Sequence, residues 1–402
     1  MKRSHIVAAL ASVGCLAIAG VSIAQIERAP IVDYKDIYFP KAFPSQTNVP
    51  EIPFDRVNPV FFKLPPATNG WNIDFGEVAA VTDDDRGHVF VLNRGDIRGD
   101  VNGGNATQLL EFDAQGNYVR EIGHNIYGFA YGHSVRVDPQ GNPWVVDKGS
   151  NMVIKFDYKS GKTAMVLGRR QESTEHFWAE KETRGPPVAR IGFFAEPTDI
   201  DWDSKGNIYV SDGYINSRVV KFDANGNWVG AWGKQGTRPG EFRLPHALQI
   251  DKNDHIWVGD RTNGRIQVFD TEGRFLREVI INVPTKTYQP LQGHQYPAKY
   301  TEDNSNERPQ NLASRPGTPY ALCYNKTENV MYVGDIYPGR VYKVDLTGKV
   351  LGYFGHVGKE WGNPNIHGLA CRNANIIYTA EFVNNRVQRF VLHPERARVT
   401  GN

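Results

Sequence analysis

Short runs of alternating hydrophobic and polar residues, separated by turns rich in Gly, Asn and Asp, recur along most of the chain. The clearest set has four runs, which are Thr198–Trp202, Ile208–Val210, Arg218–Phe222 and Asn227–Trp232. A period of two places successive side chains on opposite faces of a strand, and Gly or Asn at the turns favours tight hairpins. The set therefore predicts a four-stranded antiparallel sheet, which must stack on similar sheets to bury both faces.

The same pattern predicts six repeats, and the sixth repeat has only three runs. Because a ring closed by a strand from the other end of the chain has no exposed edge, we expect Val57–Leu64 to supply the missing outer strand. The predicted fold is an all-β, six-bladed β-propeller over residues 71–393, between an N-terminal extension (25–70) and a C-terminal tail (394–402). An open solenoid is the alternative, but the terminal repeats lack the polar caps that solenoids require.

The first 24 residues have the pattern of a signal peptide. Lys2 and Arg3 precede an apolar stretch, Ile6–Val21, and small residues before Gln25 suit cleavage. An uncleaved membrane anchor is the alternative interpretation. We expect an exported, periplasmic protein that is free of the membrane after signal cleavage.

The composition supports a turn-rich globular protein. The 402 residues include 40 Gly and 24 Pro, and a net charge of +2 argues against a nucleic-acid partner. We expect a monomer. In an oxidising compartment Cys323 and Cys371 would either form a disulfide between neighbouring sheets or remain as buried thiols.

Three histidines occupy one position in alternate repeats. Aligning the repeats on the first residue of the innermost strand gives Glu77, His133, Thr198, His246, Tyr320 and His367. Because alternate blades of a six-fold ring lie roughly 120° apart around the channel, the three imidazoles would converge on the axis. Three histidines and an open position are the ligands of a catalytic zinc ion. The alternative is that each is an ordinary strand residue, but three of only 11 histidines share this register.

A second set of equivalent positions in the repeats carries cationic side chains. Arg94, Lys148 and Arg261 follow the polar residue that ends the second strand of repeats one, two and four, and Tyr214 lies one step further along in repeat three. Guanidinium groups near a metal would favour a ligand with a carboxylate, and a phenol there could act as a base. The alternative is that these arginines are surface residues with packed aliphatic stems.

These motifs carry a resemblance to a known family. The Phe-Asp-x-x-Gly turns resemble the NHL repeat. From about Phe75 to Phe390 the chain resembles the peptidyl-α-hydroxyglycine α-amidating lyases, also called peptidylamidoglycolate lyases. The resemblance is densest at the segments 210–218, 238–246 and 260–267, and residues 93–96 (Asn-Arg-Gly-Asp) look like that family's His-Arg-Gly-Asp.

The resemblance implies roles for individual residues. The family's zinc histidines fall on His133, His246 and His367, as the register also indicates. Its catalytic tyrosine falls on Tyr214 and its substrate-binding arginines on Arg94 and Arg261. A calcium ion in the channel is also implied, with the main-chain carbonyl of Val135 as one ligand. Two family residues are replaced, however: Gly368 stands where the family has an Asp calcium ligand, and Asn365 where it has Met.

Three functions remain open from the sequence. The first is a zinc lyase that cleaves the C–N bond of an α-hydroxyglycine-type carbinolamide, on a small-molecule or peptide substrate with a carboxylate, to give an amide and glyoxylate. The second is a metal-binding propeller with another hydrolase or lyase activity on a small carboxylate. The third is a non-catalytic exported NHL propeller that binds a partner, since fold alone does not determine function.

Overall fold

The computed structural model describes residues 45–57, 61–64, 75–94, 107–170, 191–284, 316–336, 338–356 and 366–399. Within these ranges, 24 strands form six antiparallel sheets of four strands each. This arrangement confirms the predicted all-β six-bladed propeller. The predicted signal peptide, Asn365 and most of the two long loops (168–195 and 282–317) lie outside the described residues.

Blades 1 to 5 each run from an innermost strand at the channel to an outermost strand, in chain order. Blade 1 contains β2 (Val78–Asp83), β3 (Val89–Asn93), β4 (Gln108–Phe112) and β5 (Tyr118–Ile122). Blade 2 contains β6 (Gly132–Val137), β7 (Pro143–Asp147), β8 (Met152–Phe156) and β9 (Thr163–Gly168). Blade 3 contains β10 (Asp199–Trp202), β11 (Ile208–Asp212), β12 (Arg218–Phe222) and β13 (Trp228–Trp232). Blade 4 contains β14 (Pro245–Ile250), β15 (Ile256–Asp260), β16 (Arg265–Phe269) and β17 (Phe275–Val279). Blade 5 contains β18 (Ala321–Asn325), β19 (Val330–Gly334), β20 (Val341–Asp345) and β21 (Val350–Phe354).

Blade 6 joins the two ends of the chain. Its strands are β22 (Ile366–Ala370), β23 (Ile376–Glu381), β24 (Arg386–Leu392) and, outermost, β1 (Phe54–Arg56). Closure by an N-terminal strand is therefore confirmed, but the predicted segment, Val57–Leu64, was wrong. The strand β1 ends at Arg56, and Phe62, in the predicted segment, is instead buried among apolar side chains of blades 1 and 6.

The hairpin turns explain why Asp and Gly recur between strands. In the turn after β10, the Asp203 carboxylate accepts hydrogen bonds from the main-chain N–H groups of Lys205 and Asn207, and Gly206 has a φ of 82°. A positive φ strains residues with a Cβ, so glycine suits this position. The same Asp-capped geometry recurs at Asp113, between β4 and β5, and at Asp223, between β12 and β13. The Asp residues that recur in the sequence therefore have the same role in different hairpin turns.

Apolar side chains from neighbouring sheets pack between the blades and form the core. Blades 5 and 6 are also joined covalently, because Cys323 in β18 and Cys371 directly after β22 form a disulfide. The sequence had left this pairing open. Two short 3₁₀ helices, Arg261–Asn263 and Pro394–Arg396, complete the described secondary structure. Among the described residues, none lies in a helix with the length and apolar character that crossing a bilayer requires.

Candidate metal centre

Each of the three histidines sits at a β-bulge in the innermost strand of its blade. In blade 2, Gly132 pairs with Asp147 and Ser134 pairs with Val146, so His133 is left without a partner on the next strand. The pairing shifts in the same way around His246 in blade 4 and His367 in blade 6. An extra residue at a bulge re-aims its side chain, and here the three imidazoles are directed at the channel axis.

The three imidazoles meet at one point. Their ring centres are 4.7 Å apart for His133 and His246, 4.7 Å for His133 and His367, and 5.0 Å for His246 and His367. One nitrogen from each ring lies within 4.8 Å of the others, so the three rings could hold one metal ion. The convergence inferred from the histidine register is therefore confirmed.

Main-chain carbonyls from the odd-numbered blades orient the histidines of the even-numbered blades. Nδ1 of His133 is 2.7 Å from the carbonyl oxygen of Thr198, Nδ1 of His246 is 2.7 Å from that of Tyr320, and Nδ1 of His367 is 2.7 Å from that of Ala79. A carbonyl only accepts, so each Nδ1 must carry the proton, and each Nε2 has its lone pair free for a metal. Sequence reasoning missed these acceptors because a main-chain carbonyl has no side-chain signature.

The carbonyl set also corrects the predicted register in blade 1. Val78 pairs with Asn93 and Ala80 pairs with Leu92, so the bulged residue is Ala79 and not Glu77. The sequence alignment placed Glu77 two residues too early in the repeat. The corrected register alternates strictly around the ring, with imidazoles from blades 2, 4 and 6 and carbonyl groups from blades 1, 3 and 5.

The environment keeps all three imidazoles neutral. Burial lowers the pKa of His133, His246 and His367 well below the ordinary value of 6.5, and nearby positive charge lowers it further. The charges come from the other histidines and from Arg94, Lys148 and Arg261. Because metals bind neutral imidazole, these pKa shifts reduce the competition from protons at neutral pH.

Tyr214 lies at the open side of the triad. Its hydroxyl oxygen is 3.3 Å from Nε2 of His133 and 3.4 Å from Nε2 of His246. The Nζ atom of Lys148 lies 4.0 Å from the centre of the Tyr214 ring and 3.1 Å from a carboxylate oxygen of Glu196. The structure thus brings together Tyr214, the triad and Lys148, a residue that belonged to the cationic register but not to the predicted catalytic set.

The two predicted substrate arginines differ in their environment. Arg94 is buried and donates hydrogen bonds to the Glu77 carboxylate, to the Gly132 carbonyl at 2.6 Å and to the Tyr131 hydroxyl at 3.2 Å. The guanidinium carbon of Arg261 lies 4.3 Å from the centre of the Tyr320 ring, and its Nε has no hydrogen-bond partner among the described residues. The Nε of Arg261 is therefore a buried donor without a partner among the described residues, whereas the guanidinium of Arg94 is already engaged.

The channel layer near Val135 does not suit calcium. Calcium takes six to eight oxygen ligands. Here the carboxylate of Asp199 and the carbonyl groups of Leu322 and Leu369 already accept hydrogen bonds from the guanidinium of Arg136. Gly368 supplies no side chain, and a Cβ added there would lie 2.8 Å from Cα of Ala80. We therefore assign no calcium ion to this layer, in contrast to the expectation from the resemblance.

Comparison with known proteins agrees with this architecture. A sequence family described as "6-bladed beta-propeller" matches residues 194–314. A solved structure of streptogramin B lyase superposes with a TM-score of 0.50 at 13% identity, over 87% of this chain and 100% of that one. A structural-genomics protein from Bacteroides thetaiotaomicron gives a TM-score of 0.52 at 13% identity, over 85% of this chain and 77% of that one. At such identities the likeness concerns the fold alone.

Relatives detected by sequence are more specific. The chain is 27% identical over 341 residues to peptidylglycine alpha-amidating monooxygenase of Rattus norvegicus, which covers 79% of this chain and 30% of the rat protein. It is 26% identical over 336 residues to peptidyl-alpha-hydroxyglycine alpha-amidating lyase 1 of Drosophila melanogaster, which covers 68% of this chain and 58% of the fly protein. The chain is a homologue of the amidating lyases.

The match covers only part of the length of these relatives. The matched part of the chain spans less than a third of the length of the Xenopus laevis and rat amidating monooxygenases. NHL repeat-containing protein 3 of Homo sapiens is also similar, at 29% identity over 199 residues, 46% of this chain and 49% of the human protein. The resemblance to the amidating lyases and to NHL repeats is therefore confirmed, while the activity of this chain has to be argued from its own residues.

Proposed function

We propose that the protein is a zinc-dependent lyase that cleaves the C–N bond of an α-hydroxyglycine-type carbinolamide, giving an amide and glyoxylate. The observation that supports this most is the position of the Tyr214 hydroxyl, within 3.4 Å of the Nε2 atoms of two histidines in a three-histidine cluster. Homology to proteins named as α-amidating lyases agrees with the proposal.

Three imidazoles with one open position match the donor set of catalytic zinc. His133, His246 and His367 would hold the ion through Nε2, because the carbonyl acceptors occupy each Nδ1. A zinc ion bound there would act as a Lewis acid and lower the pKa of the substrate hydroxyl group.

Side chains at the mouth of the channel carry out the remaining steps. Tyr214, acting as a phenolate, takes the hydroxyl proton, and the oxygen lone pair forms the new carbonyl group of glyoxylate. The C–N bond breaks, and Tyr214 returns that proton to the departing nitrogen, which leaves as the amide. The ammonium of Lys148, 4.0 Å from the centre of the Tyr214 ring, stabilises the phenolate that accepts this proton. Arg261, which is half-buried and forms no ion pair among the described residues, binds the substrate carboxylate, while Arg94 is held by Glu77.

The cellular setting is part of the proposal. An exported, periplasmic monomer is consistent with the Cys323–Cys371 disulfide, since disulfides persist in oxidising compartments. A small-molecule or peptide substrate with a carboxylate would enter at the mouth beside Arg261.

The test uses purified protein and α-hydroxyhippurate, which contains the N–CH(OH)–COO⁻ unit. We expect one zinc ion per chain by elemental analysis and stoichiometric release of benzamide and glyoxylate. Tyr214→Phe should retain zinc but lose about 10²–10⁴-fold in kcat, the range for removal of a general base. Tyr131→Phe is the matched control, because its hydroxyl is bonded to Arg94 and lies outside the proton path. Zinc-loaded protein that turns over no α-hydroxyglycine would exclude this activity, and protein that binds no metal would favour a non-catalytic binding propeller.

A further inference from the structure

A guanidinium group crosses the central channel below the three histidines. Arg136 lies three residues beyond His133 in β6, and both residues line the same cavity together with Asp199 and Gly368. Its Nε donates to Oδ1 of Asp199 at 3.0 Å, and its Nη2 donates to Oδ2 of Asp199 at 2.6 Å. This is the bidentate arrangement in which an arginine binds a carboxylate most strongly.

The same guanidinium also reaches the opposite side of the ring. Nη2 is 3.1 Å from the carbonyl oxygen of Leu322 in blade 5, and Nη1 is 3.4 Å from that of Leu369 in blade 6. These acceptors are two residues beyond Tyr320 and His367, so the group lies roughly 7 Å along the channel from the histidine layer, given the rise of a strand. Arg136 therefore bonds to oxygen atoms from three different blades.

Asp199 extends this network to five of the six blades. Its carboxylate accepts hydrogen bonds from the Ser134 hydroxyl in blade 2, at 2.6 Å, and from the main-chain N–H of Leu248 in blade 4, at 3.0 Å. Asp199 itself belongs to blade 3, and Arg136 adds blades 5 and 6. One buried ion pair thus connects the innermost strands around most of the channel.

The layer has the electrostatic character of a cation site. A buried carboxylate and two converging carbonyl oxygens present negative charge and negative dipole ends to one point, and the Asp199 side chain is 3% exposed. Burial by itself would lower the pKa of Arg136, but the Asp199 carboxylate outweighs burial and raises it, so the guanidinium stays charged. Without this positive charge the buried Asp199 would be costly to keep ionised.

We propose that Arg136 is a tethered channel cation, which performs within the chain the task that a bound divalent metal ion would perform at this layer. The three-histidine centre is then the metal site of the channel, and the propeller is held closed without calcium. Removing the Arg136 side chain should expose a new site, lined by Asp199 and the carbonyl oxygens of Leu322 and Leu369, for a hard divalent cation or a free guanidinium ion.

The backbone around Gly368 agrees with this assignment. A Cβ at position 368 would lie 2.8 Å from Cα of Ala80 and 3.1 Å from the main-chain nitrogen of Val81. Because both neighbours are backbone atoms of blade 1, a carboxylate-bearing side chain at 368 would require the two blades to separate. The layer accordingly obtains its cation from blade 2 and its carboxylate from blade 3.

The experiment measures thermal unfolding at a fixed free zinc concentration, so that chelating calcium does not empty the histidine site. For the wild-type protein we expect no bound calcium by elemental analysis and the same Tm with calcium or with a calcium chelator. Arg136→Ala should have a Tm lower by several degrees, and millimolar calcium or guanidinium should restore part of the loss. These readouts need no catalytic activity, so they remain valid whether or not the proposed lyase reaction occurs.

Arg265→Ala is the matched control. Arg265 is also buried, bonds to the Asp260 carboxylate and donates to the carbonyl groups of Arg238 and Glu241, but it lies outside the channel cavity. Its Ala variant should be destabilised without rescue by either cation. Equal responses of the two Ala variants to calcium and guanidinium would overturn the proposal, as would one calcium ion per chain in the wild type. If Arg136→Ala fails to fold, calcium content decides the question. The wild type and Arg136→Lys, which keeps the charge, should both contain no calcium, and one calcium ion per chain in either protein would overturn the proposal.

Discussion

The Arg94 guanidinium and the Glu77 carboxylate form a buried ion pair at the mouth of the channel, with 7% and 10% of their side chains exposed. Removing one partner of a buried pair leaves an uncompensated charge and is strongly destabilising. We therefore expect Arg94→Met to lower the free energy of unfolding by about 3–5 kcal/mol. Urea denaturation of the metal-loaded protein measures this change.

A double variant separates the ion pair from other roles of Arg94. Adding Glu77→Gln to Arg94→Met removes the unpaired carboxylate, so a large part of the lost stability should return. If the double variant is as unstable as Arg94→Met alone, the contacts of Arg94 with Gly132 and Tyr131 matter more than its charge.

The fold could be predicted largely from the sequence, because each blade repeats the same alternation and the same Asp-capped turns. The exception is instructive. Val57–Leu64 contains more apolar residues than Phe54–Arg56, yet the shorter segment pairs with β24, and Phe62 fills the space between blades. Apolar content indicated the burial of Phe62 correctly, but it did not distinguish a side chain packed between sheets from one in a strand.

The site was predictable where side chains carry the chemistry. His133, His246 and His367 share a register that the sequence alone displays. The partners of Nδ1 are main-chain carbonyl groups, and the position of a bulge at Ala79 depends on strand pairing, so neither leaves a sequence signal. Arg136 was also missed, because a single arginine in a strand looks like a surface residue until the ring places it on the axis.

Arg261 should act mainly in substrate binding. Its Nε has no partner within the described residues, and the guanidinium stacks on the Tyr320 ring, so its loss disrupts little of the fold. We expect Arg261→Met to raise the KM for α-hydroxyhippurate about tenfold or more, since a hydrogen bond between charged groups contributes about 1.5–3 kcal/mol. Steady-state kinetics measures this, with Arg274→Met, an exposed arginine paired with Asp270, as the control. An unchanged KM would exclude contact between Arg261 and the carboxylate.

Lys148 should affect the chemical step more than binding. Its ammonium group lies 4.0 Å from the centre of the Tyr214 ring, where positive charge stabilises the phenol oxygen once it has lost its proton. We expect Lys148→Met to lower kcat about fivefold while changing KM less, because about 1 kcal/mol is typical of such a contact. Lys148→Arg should retain more of the rate. A variant with unchanged kcat but raised KM would instead assign Lys148 to substrate binding.

The buried histidines should make the metal-free protein sensitive to acid. Burial lowers the pKa of His133, His246 and His367 in the folded state below the 6.5 of the unfolded state. Unfolding therefore takes up protons below about pH 6.5, and stability is lost as the pH falls through that value. Each histidine should contribute about 1.4 kcal/mol of loss by pH 5.5, because one pH unit corresponds to that energy.

Comparing the wild type with His133→Asn separates the effect of His133 on acid stability from that of the buried carboxyl groups. Burial raises the pKa of Asp83, Asp201 and Asp335 to about 6, which acts in the opposite direction over the range from about pH 6 down to 3.8. These groups are common to the wild type and to His133→Asn, so their contributions cancel in the difference. The metal-free wild type should lose about 1 kcal/mol more than His133→Asn between pH 7 and pH 5.5. Equal losses would mean that His133 titrates normally.

The Cys323–Cys371 disulfide should contribute substantially to stability. It joins the innermost strand of blade 5 to the residue after the innermost strand of blade 6, across a sequence separation of 48 residues. Closing a loop of that size restricts the unfolded chain and corresponds to about 4 kcal/mol in the chain-entropy model. We expect the Cys323→Ala, Cys371→Ala double variant to lose about that much, measured by urea denaturation. Reductant should destabilise the wild type but not the double variant. If thiol titration shows the bond broken while the wild-type midpoint stays the same, packing between blades 5 and 6 and the channel network of Arg136 and Asp199 hold this part of the ring without it.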